Sequence, residues 1–219
     1  MKRHLFLLGI MTLFALTLSA QDKYCTSYND YLADNWQAVN GTITLRSEKD
    51  NRLGYTVQSE DKRLRKTLRK TAFCLRHHGD LYVNLRNSKC FDEVFVNAYE
   101  LPSGQLLFAR PDVTRTPGGI YVGSGNQTAP LSIRGFKSKS KLENLVCYII
   151  QGNERKGERG SERERESINF FKVTENVMKQ LLLGHEDLWN EYQQLDPKRR
   201  DDADVVIDFL QRAGKIVEG

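Results

Sequence analysis

The sequence predicts an α+β protein, mainly antiparallel β in a sandwich or small barrel, with an appended C-terminal helical segment. Three observations carry that prediction. Short runs of alternating or continuous apolar residues, separated by turn residues, fill residues 40–153. Residues 154–166 then break the pattern with five acids, five bases and no large apolar residue. Beyond them, three segments place apolar residues at helical spacing, and glycine or proline closes each.

Residues 1–20 read as a cleavable export signal. Lys2, Arg3 and His4 form a basic start, Leu5 to Leu18 an uncharged apolar stretch, and Leu18-Ser19-Ala20 a cleavage site with a small residue before the cut. The apolar stretch of 14 residues, with Gln21, Asp22 and Lys23 directly behind it, is short for a membrane anchor, which needs about 20. Asp22, Lys23 and Tyr24 before Cys25 are not the small residues that lipidation requires. The expected product is therefore exported to the periplasm or the extracellular space after cleavage near Ala20. It carries no lipid and no membrane span. Losing Lys2 and Arg3 lowers the net charge from +5 to +3, weak evidence for an anionic partner, while the exported compartment and the balanced charge of residues 154–166 argue against nucleic acid.

In an oxidising compartment the four cysteines of the mature chain, Cys25, Cys74, Cys90 and Cys147, are disulfide candidates, with three pairings open. The closest spacing is 16 positions and no C-x-x-C occurs, so the pattern is not that of a redox or zinc motif.

Within the β-rich part, Gly41 to Leu45 alternates threonine with Ile43 and Leu45, and Leu53, Tyr55 and Val57 alternate likewise. A basic amphipathic helix is expected near Asp61 to Lys70, with Leu64 and Leu68 on one face and Ser59 as N-cap. Residues 72–85 read as a β-hairpin. A three-residue loop at His78-Gly79-Asp80 gathers Phe73, Leu75, Leu81, Val83 and Leu85 on one face, and pattern matching favours it over a two-residue loop at His78-Gly79. That register puts Cys74 on the opposite face, with Tyr82 and Asn84. A second hairpin at 94–109 turns at Pro102-Ser103-Gly104. Residues 111–130 read as loop with a short strand at Ile120 to Val122. Leu145 to Ile150 reads as a central strand covered on both faces.

Residues 154–167 bury nothing that would offset their ordering entropy and are expected to form a charged linker or loop. A short strand at Ile168 to Val173 follows. Three helices come next: one capped by Thr174 and ended by Gly184, one carrying Leu188, Trp189, Tyr192 and Leu195 and stopped by Asp196-Pro197, and one carrying Val205, Val206, Phe209, Leu210 and Ala213 and ended by Gly214. Helices this short need a partner surface. The expected division is therefore signal 1–20, β-rich domain with one basic helix 21–153, linker 154–167, and helical segment 168–219 packing on the β domain.

Chemical motifs are sparse. Adjacent His77 and His78 on a strand would face opposite sides, His185 is remote, and no metal site is expected. Gly118 to Gly125 lacks the following lysine of a phosphate-binding loop. No G-x-S-x-G turn is present, and neither Asp92-Glu93 nor Asp201-Asp202 stands out as a catalytic acid pair. No catalytic residue and no cofactor is implied. The strongest feature is Lys62, Arg63, Arg65, Lys66, Arg69 and Lys70, six bases in nine residues. They read either as the solvated side of the helix or as a surface for an anionic partner, which Arg134, Lys137, Lys139 and Lys141 would extend if close in space.

The signal ending LSAQ, the segment TSYNDYLADNW (26–36) and the stretch SEDKRLRKTLRKTAFCLRHHGDLYVNLR (59–86) together resemble secreted proteins of unknown function common in Bacteroidota. In such proteins a T-S-Y-x-D opening leads to a hairpin, and HGDLYVN stands in its second strand here. The C-terminal LLLGHEDLWNEYQQL and VVIDFLQRA are also similar to that group. The likeness covers about half of the chain. It implies an envelope or secreted location and assigns no catalytic residue. The residues favour a non-enzymatic binding or envelope-associated protein recognising an anionic glycan or an envelope protein. The alternative is a hydrolase of envelope or dietary polymers whose site the sequence does not reveal.

Overall fold

The computed structural model describes residues 21–48, 51–87, 95–112, 145–152 and 168–216. Residues 1–20 (expected to be a signal), Cys90, the glycine-rich stretch at 118–125, the bases from Arg134 to Lys141 and the charged run at 154–166 lie outside them.

Ten strands and five α-helices follow one another as β1 (Lys23–Cys25), α1 (Tyr28–Leu32), β2 (Gln37–Ala38), β3 (Thr44–Glu48), β4 (Asn51–Gln58), α2 (Lys62–Thr71), β5 (Cys74–His77), β6 (Asp80–Asn84), β7 (Phe95–Glu100), β8 (Leu106–Pro111), β9 (Leu145–Gly152), β10 (Ile168–Lys172), α3 (Glu175–Leu181), α4 (Glu186–Gln194) and α5 (Ala203–Arg212). The class is α+β and mainly antiparallel β, as the sequence implies. The strands join one open sheet in the order β10-β9-β8-β7-β6-β5-β1-β2, and β4 branches from β7 and carries β3.

Strand alternation divides the core. Cys25, Cys74, Leu81, Val83, Val96, Leu106, Phe108, Val146, Tyr148 and Ile150 share one face of the sheet with the α1 residues Tyr28 and Tyr31. The opposite face is covered in two places. The C-terminal helices bury Met178, Leu182, Tyr192, Val206, Phe209 and Leu210 against Leu107, Cys147 and Ile149 of β8 and β9. At the other end of the sheet, Leu68 of α2 and Val57 of β4 cover Leu75, Tyr82 and Phe95. Thus β9, read from the sequence as a continuous apolar run, is covered on both faces. The three C-terminal helices find their partner surface on the sheet.

The β5–β6 hairpin adopts the register that the pattern disfavoured. His77 pairs with Asp80, Arg76 with Leu81, Leu75 with Tyr82 and Cys74 with Val83. The loop has two residues, His78 at φ 54° and Gly79 at φ 99°, the left-handed pair that matches the twist of a tight hairpin. Cys74 therefore lies on the face of Leu81 and Val83, not opposite them. The expectation failed because it placed all large apolar residues on one side. Here both sides of the hairpin are buried, so Leu75 and Tyr82 are satisfied beneath α2 while Cys74, Leu81 and Val83 fill the other core. The β7–β8 hairpin turns as expected, with Leu101 N–H donating to the Gln105 carbonyl at 2.9 Å and Gly104 at φ 76°.

Helix α2 is capped by Asp61 and not by Ser59. The Asp61 carboxylate accepts from Arg63 N–H at 2.7 Å and Leu64 N–H at 3.3 Å. Ser59 Oγ instead donates to the Thr42 carbonyl at 2.9 Å. The acidic cap suits a helix whose first turn holds Lys62, Arg63 and Arg65, since those bases oppose the positive end of the helix dipole. Thr174 does precede α3, but its side chain makes no capping bond. Among the described residues no helix is long and apolar enough to cross a membrane.

Candidate anion-binding cleft

Helix α2 lies over the sheet by its two leucines. Leu68 is fully buried and Leu64 reaches Gly41, where an added Cβ would stand 3.0 Å from the leucine Cδ2. The rest of the helix is polar and mostly exposed. Between it and β4, β6 and β7 runs a cleft of about 360 Å³. Its helical wall carries Lys62, Arg65, Lys66, Arg69 and Lys70, its floor Tyr55, Val57 and Phe95, and its far end Asn84 and Arg86. Five of the six bases singled out in the sequence thus line the cleft, and Arg63 does not. None of the described lining residues is acidic.

Sequence inspection missed the other half of the site. Asn84 comes from the end of β6 and Arg86 from the turn of 3-10 helix behind it, while Tyr55 comes from β4, the strand before α2. Asn84 is buried and fixes the basic helix in place. Its Nδ2 donates to the carbonyls of Ala72 at 2.9 Å and Arg69 at 3.3 Å, and its Oδ1 accepts from Arg86 N–H at 3.0 Å. Arg86 Nη1 adds a bond to the Arg69 carbonyl at 3.4 Å. The last carbonyls of a helix lack intrahelical donors, and here β6 supplies them. Tyr55 stands edge-on to Tyr82, with ring centroids 5.4 Å apart, so the floor is aromatic.

The stripe is costly to the helix itself. Lys62 and Lys66, Lys66 and Lys70, and Arg65 and Arg69 are like-charged neighbours at i, i+4, each destabilising by about 0.2–0.5 kcal/mol. A helix selected only to cover the core would alternate signs there. The arrangement concentrates positive potential over a low-dielectric floor, where it attracts anions most strongly.

The other candidate groups separate from this cleft. Cys25, Cys74 and Cys147 are buried free thiols. Burial, and next the Cys25 thiol beside it, push the Cys74 thiol above its ordinary value. Burial, with Asp204 nearby, pushes Cys147 up to about 12. Neither is a thiolate nucleophile at neutral pH. The structure also brings Asp112 and Asp201 together, bound to Lys172 Nζ at 3.2 and 2.9 Å. Burial opposes the charge of Lys172, but its bonds to the two carboxylates outweigh that and hold its pKa above the usual value. The Asp112 side chain is fully buried. This trio ties β8 and β10 to the segment before α5, away from the cleft.

His77 and His78 do not diverge as expected for a strand. His78 belongs to the left-handed turn, and its ring lies 4.0 Å from that of His77, centroid to centroid. Asp22 joins them, with Oδ2 2.9 Å from His77 Nδ1. His185 stays remote, at the start of α4.

No curated protein and no solved structure matches this chain. One family model does, over residues 23–217, which takes in β1, the cleft and all three C-terminal helices. The chain belongs to the family of unknown function DUF6563.

Proposed function

We propose that the protein is an exported, non-catalytic member of the cell envelope or its surroundings that binds an anionic glycan in the cleft between α2 and the sheet. The observation that supports this most is the convergence of Lys62, Arg65, Lys66, Arg69, Lys70 and Arg86 on one aromatic-floored cleft with no acid among the described lining residues. From Lys62 to Lys70 the bases extend for about 12 Å along the helix axis. Charges spread along a line suit a polymer with repeated carboxylates or sulfates better than a single phosphate. The half-buried Tyr55 ring gives a sugar an apolar surface to lie on. The likeness to secreted Bacteroidota proteins and the signal at residues 1–20 are consistent with that setting.

The test is binding to uronate-containing and sulfated oligosaccharides alongside neutral ones of equal length. Binding of the charged set alone is expected, weakening steeply as salt rises past the point where the screening length falls to about 8 Å. Equal binding of neutral sugars, or none of either, would contradict the reading. Retention of an envelope protein and of no glycan would replace it with the protein-partner alternative.

Export also bears on the cysteines. Cys25 and Cys74 are direct partners in the β1–β5 ladder, and opposed residues of such ladders have Cα atoms about 4.5–5.5 Å apart, within the range a disulfide spans. In an oxidising compartment this is the pair expected to join, passing two electrons and two protons to a disulfide-exchanging oxidant. Alkylation of the unfolded, exported protein before and after reduction should therefore show Cys25 and Cys74 blocked until reduced. Free thiols at both positions would remove the pairing.

A further inference from the structure

We propose that Asp22, His77 and His78 form a binding site for a borderline divalent transition-metal cation, Zn²⁺ foremost. One ligand atom from each residue lies within 4.8 Å of the others. Asp22 Oδ2 and His77 Nδ1 are 2.9 Å apart, and Asp22 Oδ1 accepts from the His78 backbone N–H at 3.3 Å.

The local fold explains why these three meet. Asp22 immediately precedes β1 and His77 ends β5, and continuing the Lys23–Arg76 pairing by one residue sets them opposite each other, so both point to the same side of the sheet. The Asp22 carbonyl accepts from Val39 N–H at 2.8 Å, which holds the start of β1 in place. His78 would face away if it were extended. Its φ of 54° turns the ring back onto His77. Histidine is among the residues that tolerate this conformation, although asparagine or glycine is the commoner choice in such a turn. The side chains of His77 and Asp22 are only 9% and 16% exposed, while His78 is exposed. Two donors are thus held firmly and the third can swing.

Two imidazoles and one carboxylate are the donor set of borderline cations, and Ca²⁺ or Mg²⁺ would ask for more oxygens. Metal–ligand bonds of about 2.0–2.2 Å put the donors of a tetrahedral site about 3.3 Å apart. The ion would enter between Asp22 and His77, widening their separation by a few tenths of an ångström and displacing the ring proton shared between them. Rotation of the His78 side chain closes the third side. Water fills the remaining position, because the turn is at the surface. A purely structural Asp–His pair, pinning β1 to the hairpin, is the competing reading, and it gives His78 no role.

Titrating tag-free protein with Zn²⁺ in competition with a chromophoric chelator separates the two. One ion per chain is expected. His78→Asn, which keeps a residue suited to the left-handed turn and leaves the Asp22–His77 pair intact, should weaken binding at least about tenfold, as expected for loss of one of three ligands. Asp22→Asn should weaken it to a similar degree, and His185→Ala should not change it. No uptake by the unaltered protein, or equal affinity in a His78→Asn variant that melts like it, would overturn the proposal.

Discussion

Reversing the charge of Lys66 and Arg69 together, as Lys66→Glu with Arg69→Glu, is expected to reduce glycan affinity by about 100-fold. Each side chain that passes from attraction to repulsion at about 4 Å contributes on the order of 1 kcal/mol at the dielectric of water and several times that near a protein surface. Two such changes amount to about 3 kcal/mol, or about two decades in affinity. Both residues are exposed on the cleft wall, so the fold should not suffer. The substitutions instead remove the like-charged i, i+4 neighbours Lys62–Lys66, Lys66–Lys70 and Arg65–Arg69. Melting should stay level or rise slightly while binding collapses. Arg63→Glu is the control, because Arg63 shares the helix and the charge but not the cleft. If all three substitutions weakened binding equally, the helix would be acting as a diffuse basic surface and the cleft would have no special part.

Phe108→Ala is expected to carry the largest stability loss, about 4 kcal/mol. Phe108 is 0% exposed in the face of the sheet to which β1 and β5 to β10 contribute. Its ring stacks on Tyr148 at 5.7 Å and meets Phe170 edge-on at 5.8 Å, so truncation removes aromatic contacts from three adjacent strands and leaves a cavity that the sheet cannot close. For a chain of this size that corresponds to a fall in melting temperature of about 8–16 °C. Phe171, the next residue along from Phe170, is 48% exposed, and Phe171→Ala should cost less than about 1 kcal/mol. Urea unfolding of both variants measures the contrast. Equal losses would mean that the alternation assigned to β10 is wrong.

These two residues also show how far the sequence could be read. The β7–β8 hairpin, the run at β9 and the stripes of α3 to α5 were legible, because each buries a pattern that one local period describes. The β5–β6 register was not. Maximising the apolar content of one face assumes that only one face is buried, and Leu75 and Tyr82 have a second core beneath α2. Helix α1, at five residues, is too short to show a helical period. Its signal was present as Ser27 followed three residues on by Asp30, where Ser27 Oγ accepts from Asp30 N–H at 2.9 Å.

The functional residues divide in the same way. The bases of α2 lie within nine residues and are legible as a local cluster. Tyr55, Asn84 and Arg86 are placed beside them only by strand pairing, β4 and β6 each meeting β7, and no local pattern marks them. Opposite facing of His77 and His78 is the rule for extended strands, which His78 at φ 54° does not follow, and no local pattern links Asp22 to them across more than fifty residues.

The most direct test of the anion-binding cleft is to map where a bound oligosaccharide shields the protein. Lysine acetylation with and without a saturating uronate or sulfated oligosaccharide, read residue by residue by mass spectrometry, does this on the unaltered chain. Lys62, Lys66 and Lys70 should be modified several-fold more slowly in the complex, while Lys179, Lys198 and Lys215 on the C-terminal segment should react at the same rate. Protection confined to the C-terminal lysines, or unchanged reactivity at all six under conditions where binding is saturated, would place the ligand elsewhere and contradict the account.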